Sequence, residues 1–569
     1  MSATTVEEAS APKDTPAEGH PRGLFTLFGA EAWERFSYYG MRALLVLYLT
    51  KNFKYGRAEA LEMYGIYTGL VYLTPLLGGY IADKFLGRRK AVFIGGILMA
   101  MGQLALSVPA LLHFALGLLI AGNGFFKPNI STMVGGLYRE GDSRRDGAFT
   151  IFYMGINLGA LFSPIVCGGL ADRPDRVLPI GFLAAAAGMA LGLWQFWHGQ
   201  KHLGGTGLPP GRSTTLEEAE AGPYRSGPVP ASDSGLRAKD YLDVLAWSAV
   251  TAGVVWGVLF AWKGIGPFWG ALPGAVKLGA LFVALGIVFV QLYRDTTPEQ
   301  KQEVSVIIIL CAFNIFFWMG FEQAGGTMTF FADDQTERNL GPVELFVAAV
   351  FVGAATYNFW RSTKTQASGR GLWIALTGML GLIVVVILGF AVRGVVTGKT
   401  VEIGASLFQA VNPIVIVALA PTFSNLWQKL DEGRLRTSTP TKMAIGMILL
   451  GVGFAVLFVG QKLALASGGK ASVGWLGSVY LIHTIGELCL SPIGLSMVTK
   501  LAPPRVSSLA MGLWLGSSAA ANYLGSILEA QLETYHVPIF GFLIVSSIGP
   551  AILLLAITPL LKKWMHGKA

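Results

Sequence analysis

The sequence predicts an all-α polytopic membrane protein of about 16 helices. Three observations carry this expectation. Only 14% of the 569 residues are Lys, Arg, Asp or Glu, against about 25% in an ordinary soluble domain. The apolar share is 53% and the mean hydropathy is +0.54. The apolar residues also gather in runs, most of about the 20 residues that a bilayer-crossing helix needs. A chain so poor in charge cannot cover a soluble globule, and one so apolar is neither disordered nor a disulfide scaffold. Cys167, Cys311 and Cys489 lie inside apolar runs with neither metal-ligand spacing nor an evident pairing. The net charge of +9 reads as Lys and Arg in loops on one side of a membrane. No nucleic-acid partner is expected.

The elements follow in order. Residues 1–23 are polar, contain Pro12, Pro16 and Pro21, and read as a disordered tail. Six runs follow at 24–50, 60–82, 89–111, 113–137, 147–171 and 177–198. Residues 199–238, rich in Gly, Pro and Ser and carrying Glu217, Glu218 and Glu220, form a linker. Two runs at 241–262 and 272–293 come next, then 303–331, 343–360, 371–393, 403–428, 441–461, 473–498, 507–531 and 538–561. The run at 343–360 is the weakest, being short and ending in Asn358.

Charge placement orients these runs. Lys84, Arg88, Arg89 and Lys90 after the second run fall on the same side as Lys562, Lys563 and Lys568. The positive-inside rule makes that side cytoplasmic, with both termini and the linker. The loop with Arg361, Lys364 and Arg370 reads as inside, and the acidic segment Asp333, Asp334 and Glu337 as outside. Lys51, Lys54 and Arg57 form a counterexample in the first outside loop.

An internal repeat divides the chain. Gly122-Asn-Gly-Phe-Phe-Lys127-Pro128 reaches Met133-Val134, and Gly486-Glu487-Leu-Cys-Leu-Ser491-Pro492 reaches Met497-Val498 at the same spacing. Two halves related in parallel are expected of a two-bundle transporter with its site at their interface. The expected organisation is a bundle over 24–198, the linker 199–238, two inserted helices over 239–294 and the first helix of a second bundle over 295–335. An inserted hairpin over 336–400 and the rest of the second bundle over 401–569 complete it.

A charge at the bilayer centre costs at least about 2.5 kcal/mol on insertion scales. Intramembrane charges are therefore site candidates. Glu31, Glu34, Arg35 and Arg42 share one narrow helix face with Tyr38, and Tyr39 borders it. Lys127, Glu322 and Glu487 lie deep in their runs. A self-paired stripe, a snorkelling lysine or a structural ion pair are the plain alternatives. Trp318 and Trp514 lie one turn before Glu322 and Ser518, while Asn157 and Asn412 are polar groups within apolar runs. Packing or hydrogen bonds across helices would account for these four as well.

Two motifs then identify a family. Glu31-Ala-Trp-Glu34-Arg35-Phe36-Ser-Tyr38-Tyr39-Gly40 matches the ExxERFxYYG signature of the proton-dependent oligopeptide transporters, and Phe152-Tyr153-Met-Gly-Ile156-Asn157-Leu-Gly159 matches their FYxxINxG signature. Gly79-Tyr-Ile-Ala82-Asp83-Lys84-Phe-Leu-Gly87-Arg88-Arg89 looks like the loop motif of the wider major facilitator superfamily. The resemblance covers residues 24–335 and 403–561, and two extra helices such as 241–293 are usual in its bacterial members. The hairpin 343–393 departs from the pattern and has no role implied by it.

The resemblance implies a major facilitator fold that imports di- and tripeptides with protons by alternating access, with no cofactor and no enzymatic activity. Arg35 and Lys127, helped by Tyr39 and Tyr72, would hold the peptide carboxylate. Glu487 and Asn412 would hold its amino group, and Asn157 its backbone. Trp318, Trp514 and Ser518 would line side-chain pockets. Glu31, Glu34 and Arg35 belong to the proton-coupling motif, Glu322 would pair with Arg42 as a gate, and Lys127 would pair with Glu487 until peptide enters. A monomer in the inner membrane of a bacterium, surrounded by lipid, is the expected setting. The same machine working on another small organic or anionic substrate is the nearest rival. Charge physics favours a zwitterion, because desolvated charge-assisted hydrogen bonds are the strong ones.

Overall fold

The structure is a computed structural model that describes residues 19–138, 142, 144–208, 236–271, 289–294, 296–365, 370–432, 437–503, 506–535 and 537–568. Six helices build the first half: α1 (Arg22–Lys51), α2 (Arg57–Leu86), α3 (Arg88–Leu106), α4 (Leu112–Gly135), α5 (Arg145–Ser163) and α6 (Ile180–Gly199). Helix α7 (Ala238–Ala271) packs on α3 and α4 at the edge of that half. The expected partner run, 272–293, lies outside the described residues except for 289–293, which are helical.

The second half contains α8 (Pro298–Phe321), α11 (Val411–Glu432), α12 (Thr439–Ala466), α13 (Val473–Leu501), α14 (Ser507–Thr534) and α15 (Ile539–Trp564). Between α8 and α11 comes a hairpin of α9 (Pro342–Thr365) and α10 (Arg370–Thr397). Among the described residues, 13 helices are long and apolar enough to cross a membrane, α9 and α10 among them. The short run at 343–360 is therefore part of a 24-residue helix, about 36 Å long at 1.5 Å per residue.

Local chemistry sets the ends. Thr297 and Gln300 form a reciprocal capping box at the start of α8, with Pro298 at the first helical position. Ser472 caps α13 through the Gly474 N–H at 3.3 Å. Gly87, at φ 78°, makes the turn from α2 to α3 where a side chain would be strained. The buried Arg89 then donates to the Thr206 carbonyl at 2.7 Å and ties α3 to the segment after α6.

The repeat seen in the sequence has a packing role. A Cβ at Gly122 would meet the Gly95 carbonyl oxygen of α3 at 2.7 Å, and a Cβ at Gly486 would meet that of Gly446 in α12 at 2.8 Å. The pair α3 and α4 is thus matched by α12 and α13, each joined at a glycine-to-glycine backbone contact. Small residues allow such approach in membrane helices, where packing rather than water exclusion holds helices together.

The two halves meet along α2 and α14 and along α5 and α11. On α2, Gly65 and Gly69 form a G-x-x-x-G face that receives Ser526 and Tyr523 of α14. Two short ladders tie the loops of this end. Thr336–Glu337 pairs in parallel with Ala471–Ser472, and Asn339–Leu340 pairs with Val401–Glu402 to close the base of the hairpin.

Candidate functional site

The hub of the site is α1. Its acidic and basic residues recur on one face, and the fold turns that face inward. Arg35 lies 3.2 Å from Glu31, pairs also with Glu34, and stands over the Tyr38 ring. Asn123 donates to Glu34 at 3.4 Å. All three charged groups are buried. Gly159 of the second motif lies against Arg35 and Phe36 of the first, and a Cβ there would come within 2.8 Å of the Arg35 Cβ. The two signatures are therefore one contact between α1 and α5. Two turns on, Arg42 pairs with Glu322 of the other half and donates to the Tyr64 hydroxyl at 2.7 Å.

A cavity of about 310 Å³ lies between the halves. Tyr39, Tyr72, Lys127, Asn157, Trp318, Asn412, Glu487, Trp514 and Ser518 all line it, as does Arg42. Arg35 does not: its guanidinium is enclosed with Glu31 and Glu34, at 3% exposure. Arg35 therefore reaches no ligand space in this conformation, where Glu31 and Glu34 pair with it.

The two walls carry opposite charge. On the first-half wall, the Lys127 ammonium sits 4.5 Å from the Tyr72 ring centroid. On the second-half wall, Asn412 donates to Glu487 at 2.8 Å and to Thr484 at 3.0 Å. No ion pair joins Lys127 to Glu487 among the described residues, so that expected contact is open here. Asn157 donates back to the Tyr153 carbonyl at 3.0 Å, and Asn314 holds Ser517 at 2.8 Å and Ser518 at 3.4 Å. Trp318, Phe321, Trp514 and Ile416 make the apolar walls.

Sequence reasoning missed several lining groups. Thr484 lies three residues before Glu487, so helical spacing could have found it. Tyr153 stands four residues before Asn157, Gln409 three before Asn412, and His483 and Tyr480 four and seven before Glu487, so the same spacing marks them too.

The cavity continues into a vestibule of about 1490 Å³ that shares Tyr153, Ile156, Asn157, Ile416 and Glu487 with it. The vestibule reaches Lys442, Lys500, Lys562 and Gly567, so it opens on the side of the C-terminal tail. The opposite side is latched. Lys51 of α1 bridges Asp333 at 3.0 Å and Asp172 at 3.4 Å, and Asp333 also accepts from Arg338 at 2.9 Å. Arg57 pairs with Asp334 and lies 3.8 Å from Glu533. The basic counterexample of the first outside loop is thereby explained: Lys51 and Arg57 are the partners of the acidic segment at 333–334.

Comparison with known proteins agrees with this architecture. A profile described as the POT family matches residues 89–213 and 373–541. A di-/tripeptide transporter of Lactococcus lactis subsp. lactis is 31% identical, with 96% of each chain covered. A peptide transporter of Yersinia enterocolitica is 30% identical, with 95% of each covered. Among solved structures, a mutant of a peptide transporter POT in complex with alafosfalin is 32% identical, covers 97% of each chain and superposes with a TM-score of 0.70. With that identity over nearly its whole length and its profile match, the chain belongs to the POT family of transporters.

Proposed function

We propose that this chain is a proton-coupled symporter of di- and tripeptides, held here with its outer side latched and its inner side open. The observation that carries the reading is the cavity between the halves. It places Lys127 and Arg42 on one wall, Glu487 with Asn412 on the other, and roomy apolar faces between them. A zwitterion of short length meets both charges, while varied side chains need only loose apolar pockets. The names of the relatives, di-/tripeptide transporter and peptide transporter, support the same substrate class.

The mechanism follows from the pairs. Protonation of Glu322 releases Arg42 and loosens one half from the other, while protonation of the Glu31 and Glu34 cluster releases Arg35 within α1. Peptide binding draws Lys127 and Glu487 toward one ligand and favours closure of the inner side. A ligand moves this equilibrium only by its different affinity for the two states. The cationic loops at Lys84–Lys90 and the tail at Lys562 and Lys563 support placing the open side in the cytoplasm of a bacterium. The unit proposed is a monomer in lipid.

The test is uptake of labelled dialanine into proteoliposomes under an inward proton gradient. Wild type accumulates the peptide, whereas Glu322→Gln retains exchange at equal pH but loses gradient-driven accumulation. Accumulation by Glu322→Gln at the wild-type level would refute the gate. Failure of unlabelled dipeptides to compete, with strong competition by another small anion, would refute the substrate class.

A further inference from the structure

The seven intramembrane charges picked out in the sequence do not include a further buried acid that no cation pairs among the described residues. Glu529 of α14 is 3% exposed and lies within the run 507–531. The Thr327 hydroxyl donates to its Oε1, and Gly326 lies so near that a Cβ there would come within 2.7 Å of Oε2. Leu61 of α2 closes the site from the first half, with its Cδ2 3.1 Å from the same Cβ position. Glu529 does not line the cavity or the vestibule.

The groups around it bring it no countercharge. Among the described residues, no cation lies within ion-pair reach of Glu529. On α2, Tyr64 is hydrogen-bonded by Arg42, and Arg57 is turned to Asp334 and Glu533. In the break after α8, Glu322 is paired with Arg42. On α14 itself, the neighbouring acid is Glu533, one turn on. Neutral donors satisfy a carboxyl oxygen, but an ionised carboxylate buried without a cation is strongly disfavoured.

Position gives this acid a role. The seam of α2 and α14 is where the halves meet on the latched side, and it must part when that side opens. We propose that Glu529 is a second protonation site of the transport cycle, neutral while α2 covers it and ionised when the outer seam opens. The inference rests on the proton-coupled reading above and adds a site to it. A proton from the outer solution adds to a carboxylate oxygen as the seam closes, and leaves to the same solution as it opens. Closure therefore takes up one proton at this site. Its equilibrium is favoured at acid outer pH and falls tenfold per pH unit once the open-state carboxylate is ionised.

The test is the full chain in proteoliposomes, with Ser526→Cys as a reporter of the seam and a membrane-impermeant maleimide outside. Ser526 is buried against Gly65 in the closed seam. Labelling of the parent protein, whose cysteines are buried, is subtracted. In the reporter, labelling rises as the outer pH rises. Adding Glu529→Gln, which is neutral at every pH, removes one tenfold factor per pH unit from that rise, while Glu529→Asp keeps it. Unchanged pH dependence in Glu529→Gln overturns the proposal, and so does its equal loss in Glu529→Asp. Should Glu529→Gln fail to fold, Glu322→Gln serves instead. With Glu322 neutral, a tenfold dependence per pH unit is expected to remain beyond the tenfold rise that ionisation of the reporter thiol itself gives below its pKa, and its absence overturns the proposal. Peptide uptake by wild type under the gradient is measured alongside, so loss of the transport reading itself is separately visible.

Discussion

Lys127 meets the cavity over an aromatic ring and not in an ion pair. Its charge is thus available to a ligand carboxylate in the open state. A hydrogen bond to a charged group contributes about 1.5–3 kcal/mol, which is roughly 10- to 150-fold in affinity. Lys127→Gln is expected to weaken dialanine binding by about that factor. It should weaken dialanine amide, which lacks the carboxylate, much less. Isothermal titration of both ligands on both proteins checks this, and equal losses would remove Lys127 from carboxylate recognition. The residues legible in the sequence were those whose burial is costly. Lys127, Glu322 and Glu487 stood out because a charge in an apolar run needs a reason. Arg35 shows the limit of that signal. It is buried as expected, yet its partners Glu31 and Glu34 keep it from the cavity.

At the scale of elements, the inserted hairpin has a definite docking. Pro421 lacks an N–H and so frees the carbonyl of Val417, four residues earlier in α11. Asn358 of α9 donates to that carbonyl at 2.8 Å and to Ala418 at 3.1 Å. On α10, the fully buried Trp373 stacks on Phe359 and meets Phe25 and Phe28 of α1 edge-on. The hairpin thus touches both halves and, through Asn358, Phe359, Arg361 and Ser362, forms part of the vestibule wall. Asn358→Leu is expected to leave the Val417 carbonyl unpaired at a cost of about 1–3 kcal/mol. Thermal unfolding in detergent reads this as a lower midpoint, and an unchanged midpoint would argue that water replaces Asn358. No sequence signal connects Asn358 with the helix of Pro421, because the contacts join residues 59 and 60 positions apart and exist only once folding brings α9 onto α11.

For the whole molecule, ion pairs latch the side away from the C-terminal tail while the vestibule opens on the tail side. The members of the latch differ in environment. Lys51 is 8% exposed and shared by Asp172 and Asp333, whereas the Arg57 and Asp334 side chains are 41% and 44% exposed. Exposed pairs contribute little, about 0–1 kcal/mol, while removing one partner of a buried pair strands a charge. Lys51→Ala is therefore expected to shift the protein toward the form open on the latched side far more than Arg57→Ala. Accessibility of a cysteine on the α2 and α14 seam checks the order, and a larger effect from Arg57→Ala would reverse this ranking of the latch.

The sequence by itself determined the solvent, the all-helical architecture, the parallel repeat and the family, because these follow from composition, periodicity and local motifs. A scarcity of charge is visible in one dimension, and so is each charge that breaks it. Tertiary structure alone decided which of those charges face the cavity, that Arg35 does not, and that the side away from the C-terminal tail is shut. It also revealed Glu529, whose acid lies close to the end of its run and gains meaning only when Leu61 and Thr327 enclose it. The physical reason is common to all of these. Burial and pairing of a charge depend on which helices meet across the seam between the halves, and that is set by packing between residues far apart in the chain.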